Sequence, residues 1–154
     1  MDYHTRFIKA LVETLGHYIP RSIAIDSTPE NADCFYQALL VAMGFDQALL
    51  PHLAPALKAR TVLNMFLTHR LSTEELKTEL LPSSLAHNAH YMQAACDMGV
   101  CIWFLSLEDK HLAIYNSPAD GLARRVYMGW HEKHVRPVFF KRALPVGQMA
   151  AKGW

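Results

Sequence analysis

The hydrophobic pattern of this chain changes period at Gly99, and that change limits the possible folds more than any other feature of the sequence. Before it, apolar residues recur every three or four positions; after it, they alternate or run unbroken. From Asp2 to about Gly16, the residues Phe7, Ile8, Leu11, Val12 and Leu15 mark one face of an amphipathic helix, which Pro20 breaks. Ser22 to Asp26 alternates weakly, and Ser27-Thr28-Pro29-Glu30-Asn31 carries the turn and capping residues of a loop. A helix from about Ala32 to Met43 follows, with Phe35, Ala38, Leu39, Ala42 and Met43 on one face and Cys34, Gln37 and Val41 to the side. Gly44 ends it. Leu49 to Leu67 reads as further helix interrupted by Pro51 and Pro55, and Ser72-Thr73-Glu74-Glu75 opens a short one with a capping-box pattern. The last helix runs from about Leu85 to Met98 and is closed by Gly99.

Beyond Gly99, Val100 to Leu105 is a short apolar run rich in β-formers, as expected of a strand buried on both faces. His111 to Tyr115 and Arg124 to Met128 read as two more strands, joined by the turn-rich Asn116 to Gly121. Val135 to Phe140 reads as a fourth, in which Pro137 demands an edge or a bulge. Helices for the first two thirds and strands thereafter imply an α+β fold, the helical part packed on a small, mainly antiparallel C-terminal sheet. With 154 residues, 51% of them hydrophobic, there is enough chain for one core and not for two, so a single domain spanning 1–154 is expected. The segment Gly147 to Trp154 reads as a loosely held tail.

Fifteen basic side chains against fourteen acidic ones leave a formal charge of +1, too small a field to recruit nucleic acid or an anionic membrane. No apolar run approaches the roughly 20 residues that a bilayer span needs. Met1-Asp2-Tyr3-His4 lacks the basic-then-apolar order of a signal peptide. Three cysteines, Cys34, Cys96 and Cys101, have no framework spacing and fit a reducing compartment. A cytoplasmic monomer without cofactor or metal is the resulting expectation.

Cys34 stands where the second helix begins. Unpaired backbone N–H groups and the positive end of the helix dipole favour a thiolate there. A cysteine nucleophile also needs a base brought to it by the fold. His134, at the start of an apolar strand, is the candidate; His131 and His111 read as solvated surface residues. A zinc site drawn from His87, His90, Cys96 and Cys101 competes, but it lacks the Cys-x-x-Cys spacing of structural sites.

The stretch Asp33-Cys34-Phe35-Tyr36-Gln37-Ala38-Leu39 resembles the nucleophile motif of ovarian-tumour-type (OTU) cysteine proteases. Ala94 to Trp103 is similar to that family's helix, glycine turn and central strand, and His134-Val135 to its histidine motif. The resemblance covers roughly Ile25 to Phe140 and implies a papain-like, OTU-like fold. It further implies that Cys34 attacks an amide or isopeptide carbonyl, that N–H groups of Asn31, Ala32, Asp33 and Cys34 hold the oxyanion, and that His134 is the general base and acid. Ubiquitin or a ubiquitin-like protein is the implied substrate, in the host cytoplasm if the protein is a viral or bacterial effector, where a viral polyprotein is a second substrate.

Three positions depart from the family pattern. Asn31 and Ala32 replace an Asp-Gly pair, Val135 replaces an aromatic, and Arg136 stands where an orienting Asp or Asn is usual. Arg136 cannot accept a hydrogen bond, which leaves Asp26 as the candidate orienting acid or else a Cys–His dyad. Two other readings stay open: an inactive OTU-like interaction module, and a peptidoglycan-directed papain-like hydrolase.

Overall fold

A computed structural model describes residues 1–16, 20–25, 32–117 and 124–140. Helix α1 (Tyr3–Leu15) starts where Asp2 accepts a hydrogen bond from the Thr5 N–H at 2.8 Å. It ends at Gly16, whose φ of 67° an L side chain would resist. Phe7, Leu11 and Leu15 are buried as expected, whereas Val12 is 46% exposed: the apolar stripe of α1 is narrower than the sequence suggests.

Helix α2 (Cys34–Ala42) is buried on every side beyond its first residue, Gln37 and Val41 included. The expected division into a core face and a flank does not survive, because α2 is packed between the sheet and α3. After a single 3-10 turn at Gln47–Leu49, helix α3 (Leu50–Leu67) runs unbroken through both prolines. Pro51 lies in the first turn, where an N–H has no helical acceptor, and Pro55 frees only the Pro51 carbonyl on an exposed side. Helix α4 (Thr73–Glu79) has the expected capping box: the Glu75 N–H donates to Ser72 Oγ at 3.1 Å and the Ser72 N–H to Glu75 Oε1 at 3.0 Å. Helix α5 (Asn88–Met98) starts three residues later than its pattern suggested and closes at left-handed Gly99.

Among the described residues five strands form one sheet: β1 (Pro20–Ser22), β2 (Val100–Ser106), β3 (His111–Tyr115), β4 (Arg124–His131) and β5 (His134–Phe140), in the order β1-β5-β4-β2-β3. The sheet is mixed, with β2 and β4 parallel and the other pairs antiparallel. The first strand falls at Pro20–Ser22, and the weakly alternating residues 23–25 that follow lie outside it. Pro20 takes part in it, opposite Phe140 on an outer strand that can spare a donor. Pro137 lies on an interior strand, contrary to the edge position its ring suggested. Its carbonyl accepts from Ile23 N–H, so its missing donor faces the side on which β1 has already ended.

Strand β2 explains its unbroken apolar run by serving two cores. Val100, Ile102 and Phe104 join α2, α3 and α5 on one face; Cys101, Trp103 and Leu105 meet α1 on the other. Gly129 of β4 lets α1 come close. A Cβ at that position would lie 2.7 Å from Cζ of Phe7, which is fully buried and cannot swing away. Gly129→Ala is expected to destabilise the protein by about 1–3 kcal/mol, and Phe7→Leu on that background should recover part of the loss. A urea midpoint equal to wild type for the single variant contradicts this packing.

Candidate active site

The N-terminal ends of α2 and β5 meet at one cleft of about 230 Å³. Cys34 and Gln37 line it from α2, His134, Val135 and Arg136 from β5, and Tyr3 and Ile25 complete it. Cys34 and His134, 100 residues apart in sequence, thus share one wall of the protein, because α2 packs directly on β5. Val135, the residue that follows His134, lines the cleft beside Cys34.

His134 is aimed by the turn before it. His131 pairs with His134 across a two-residue loop, Glu132-Lys133, whose residues have φ of 51° and 66°. Positive φ at both positions matches the twist of a tight hairpin but costs non-glycine residues about 1–2 kcal/mol each. Compensation comes from Glu132, which pairs with Arg6 of α1 at 2.9 Å and donates its N–H to Glu108 Oε1 at 2.9 Å.

Asp33, just before Cys34, is held by a lysine that sequence reading passed over. Lys58 of α3 places Nζ 3.5 Å from Asp33 Oδ1 and donates to the carbonyls of Leu81 (2.9 Å) and Ser84 (2.8 Å). Its side chain is only 8% exposed. One ammonium therefore ties the approach to Cys34, the middle of α3 and the loop before α5 together. The available signal was position: Lys58 lies four residues from Ala54 and from Val62, on a stripe of α3 that is otherwise buried and apolar.

Burial pushes the Cys34 thiol up. The N–H groups of Val135, Phe35 and Cys34 itself pull it down, and the Asp33 carboxylate adds to the rise. The helix start was expected to lower it; loss of water outweighs those donors, so the resting group is the thiol. Alkylation of Cys34 by iodoacetamide, followed site by site by mass spectrometry, is accordingly expected to accelerate continuously from about pH 6 to above pH 9. A rate already level near neutrality would contradict a raised thiol.

Asp26 and Asn31 lie outside the described residues; Ala32 is buried. Arg136 is turned to α1, its Nη1 2.8 Å from His4 Nδ1 and its guanidinium 4.4 Å from the centre of the Tyr3 ring. His131 is not a solvated surface residue: its ring is largely buried, with Glu108 and Glu132 each 3.7 Å away. His111 is exposed at the start of β3. The four zinc candidates do not assemble. His90 is committed to Glu79 and to the His87 N–H, while Cys101 belongs to the core beneath α1. Among the described residues no group of three or more His, Cys, Asp or Glu is placed to hold a metal ion, and no helix is long and apolar enough to cross a membrane.

No protein-family model matches the sequence, and no curated protein matches it. Solved structures do match in shape. The OTU domain of OTUD1 superposes with a TM-score of 0.65 at 19% identity, over 88% of this chain and 98% of that one. An ovarian-tumour domain in complex with ubiquitin gives 0.57 at 11% identity, over 90% and 85%. The Hazara virus OTU bound to ubiquitin gives 0.56 at 11%, over 80% and 83%. The fold is therefore α+β and OTU-like.

Proposed function

We infer that this chain is a cysteine peptidase that releases ubiquitin or a ubiquitin-like protein from an amide or isopeptide bond. The observation that carries this reading is the meeting of Cys34 and His134 in one cleft of an OTU-like fold. His134 takes the proton of the Cys34 thiol, and the sulfur attacks the substrate carbonyl, whose C=O electron pair moves to oxygen. Backbone N–H groups of the Asn31 to Cys34 segment stabilise that oxyanion. Collapse of the tetrahedral adduct breaks the C–N bond, and His134 returns its proton to the leaving amine. Water, deprotonated by His134, then hydrolyses the thioester and regenerates the thiol.

A non-catalytic ubiquitin-binding module is the second reading, and the raised Cys34 thiol favours it. A ubiquitin carrying a thiol-reactive group at its C-terminus separates the two. Covalent addition of one ubiquitin that disappears in Cys34→Ala is the result expected of the peptidase. Complex formation without the covalent bond would replace it with the module.

A further inference from the structure

The cleft is built from both faces of the sheet, and the contribution from the α1 side has no counterpart in the sequence motifs. Tyr3, the first residue of α1, sets its ring 4.9 Å from the His134 ring at 65°, an edge-on contact. Its hydroxyl donates to the His131 carbonyl, with the His134 carbonyl 3.5 Å away, so the phenol is pinned to the hairpin that carries the histidine. On another side the ring is covered by the Arg136 guanidinium, itself held by His4. Burial keeps the phenol far from ionising, so it remains a donor at any working pH.

A Cys–His pair works only when the imidazole is held towards the sulfur, a task that a carboxylate performs in many such sites. Position 136, two residues beyond the histidine, carries a guanidinium, which only donates. We propose that Tyr3 is the positioning residue for His134: its fixed ring, not an acidic side chain, confines the imidazole to one rotamer in the cleft that it shares with Cys34. This rests on the peptidase reading for its consequence in turnover, though not for the contact itself. Arg136 then has a defined purpose, as the cationic cover that keeps the Tyr3 ring in place.

The test uses the full chain and two readouts. Chloroacetamide alkylation of Cys34 is measured against pH in wild type, His134→Ala, Tyr3→Leu and Tyr3→Phe. Tyr3→Leu is expected to fall about five- to tenfold, towards the His134→Ala rate, because an edge-on aromatic contact biases a rotamer by a factor of that order. Tyr3→Phe, which keeps the ring, should stay within about threefold of wild type. Tyr3→Leu at the wild-type rate, or Tyr3→Phe as slow as Tyr3→Leu, would overturn the proposal. Equal rates for wild type and His134→Ala would remove the Cys–His pair itself, a different pattern. The second readout needs no leucine variant. The His134 ring protons should show aromatic ring-current shifts by NMR in wild type and Tyr3→Phe alike, and random-coil shifts in wild type would also overturn it.

Discussion

Lys58→Met should lower the stability of this protein by about 3–5 kcal/mol, the largest effect expected of any single polar substitution here. The ammonium is nearly out of water, so it has given up its hydration. In exchange it holds two carbonyls at 2.9 and 2.8 Å and the Asp33 carboxylate at 3.5 Å. Methionine fills a similar volume but donates nothing. The Asp33 carboxylate then loses its counter-charge in a largely buried place, and the Leu81 and Ser84 carbonyls lose a donor. For a chain of this length the melting temperature should drop by roughly 10 °C or more. The double variant Asp33→Asn/Lys58→Met removes both charges and should recover part of the loss. Additivity of the two single effects in that cycle would show that the pair is not coupled. Because Asp33 adjoins Cys34, the same variant should also change the Cys34 alkylation rate.

His134→Ala should reduce ubiquitin-substrate turnover by about a thousandfold, equivalent to roughly 4 kcal/mol of transition-state stabilisation. The loss should appear in kcat, since the imidazole moves protons and is not required to bind the substrate's remote surface. Stability should hardly change, because His134 is exposed and its ring packs edge-on against that of Tyr3, at 65°. His131→Ala is the comparison: that ring lies between Glu108 and Glu132 and does not line the cleft, so turnover should persist. A His134→Ala enzyme retaining a tenth of the wild-type activity would remove His134 as the base.

Legibility followed locality. The capping box of α4, the glycine stop of α5 and the two-faced β2 strand are encoded within a few residues, and each is found where the pattern put it. Errors arose where a partner distant in sequence decided the outcome. Pro137 sits on an interior strand because β1 stops one residue short of needing its N–H. The role of Lys58 depends on the carbonyls of Leu81 and Ser84, more than twenty residues further along the chain. Helix propensity and turn chemistry can express neither fact, since both depend on which distant group arrives.

The same division runs through the cleft. Cys34 at a helix start and His134 at a strand start could be picked out because each stands at a change of local pattern. Tyr3 could not, since its neighbours within the chain say nothing about a ring under a guanidinium; Lys58 was marked by its apolar stripe and Arg136 as a missing acceptor, but neither pattern names the partner. The sequence by itself determined the order of helices and strands, through periodicity and capping, which act over one or two turns of chain, and it singled out Cys34 and His134, which line one cleft. Only the tertiary structure decided that β2 and β4 run parallel and that α1 reaches the cleft. It also decided that burial holds the Cys34 thiol above its ordinary range, because strand pairing, side-chain contact and loss of water are set by residues tens of positions apart.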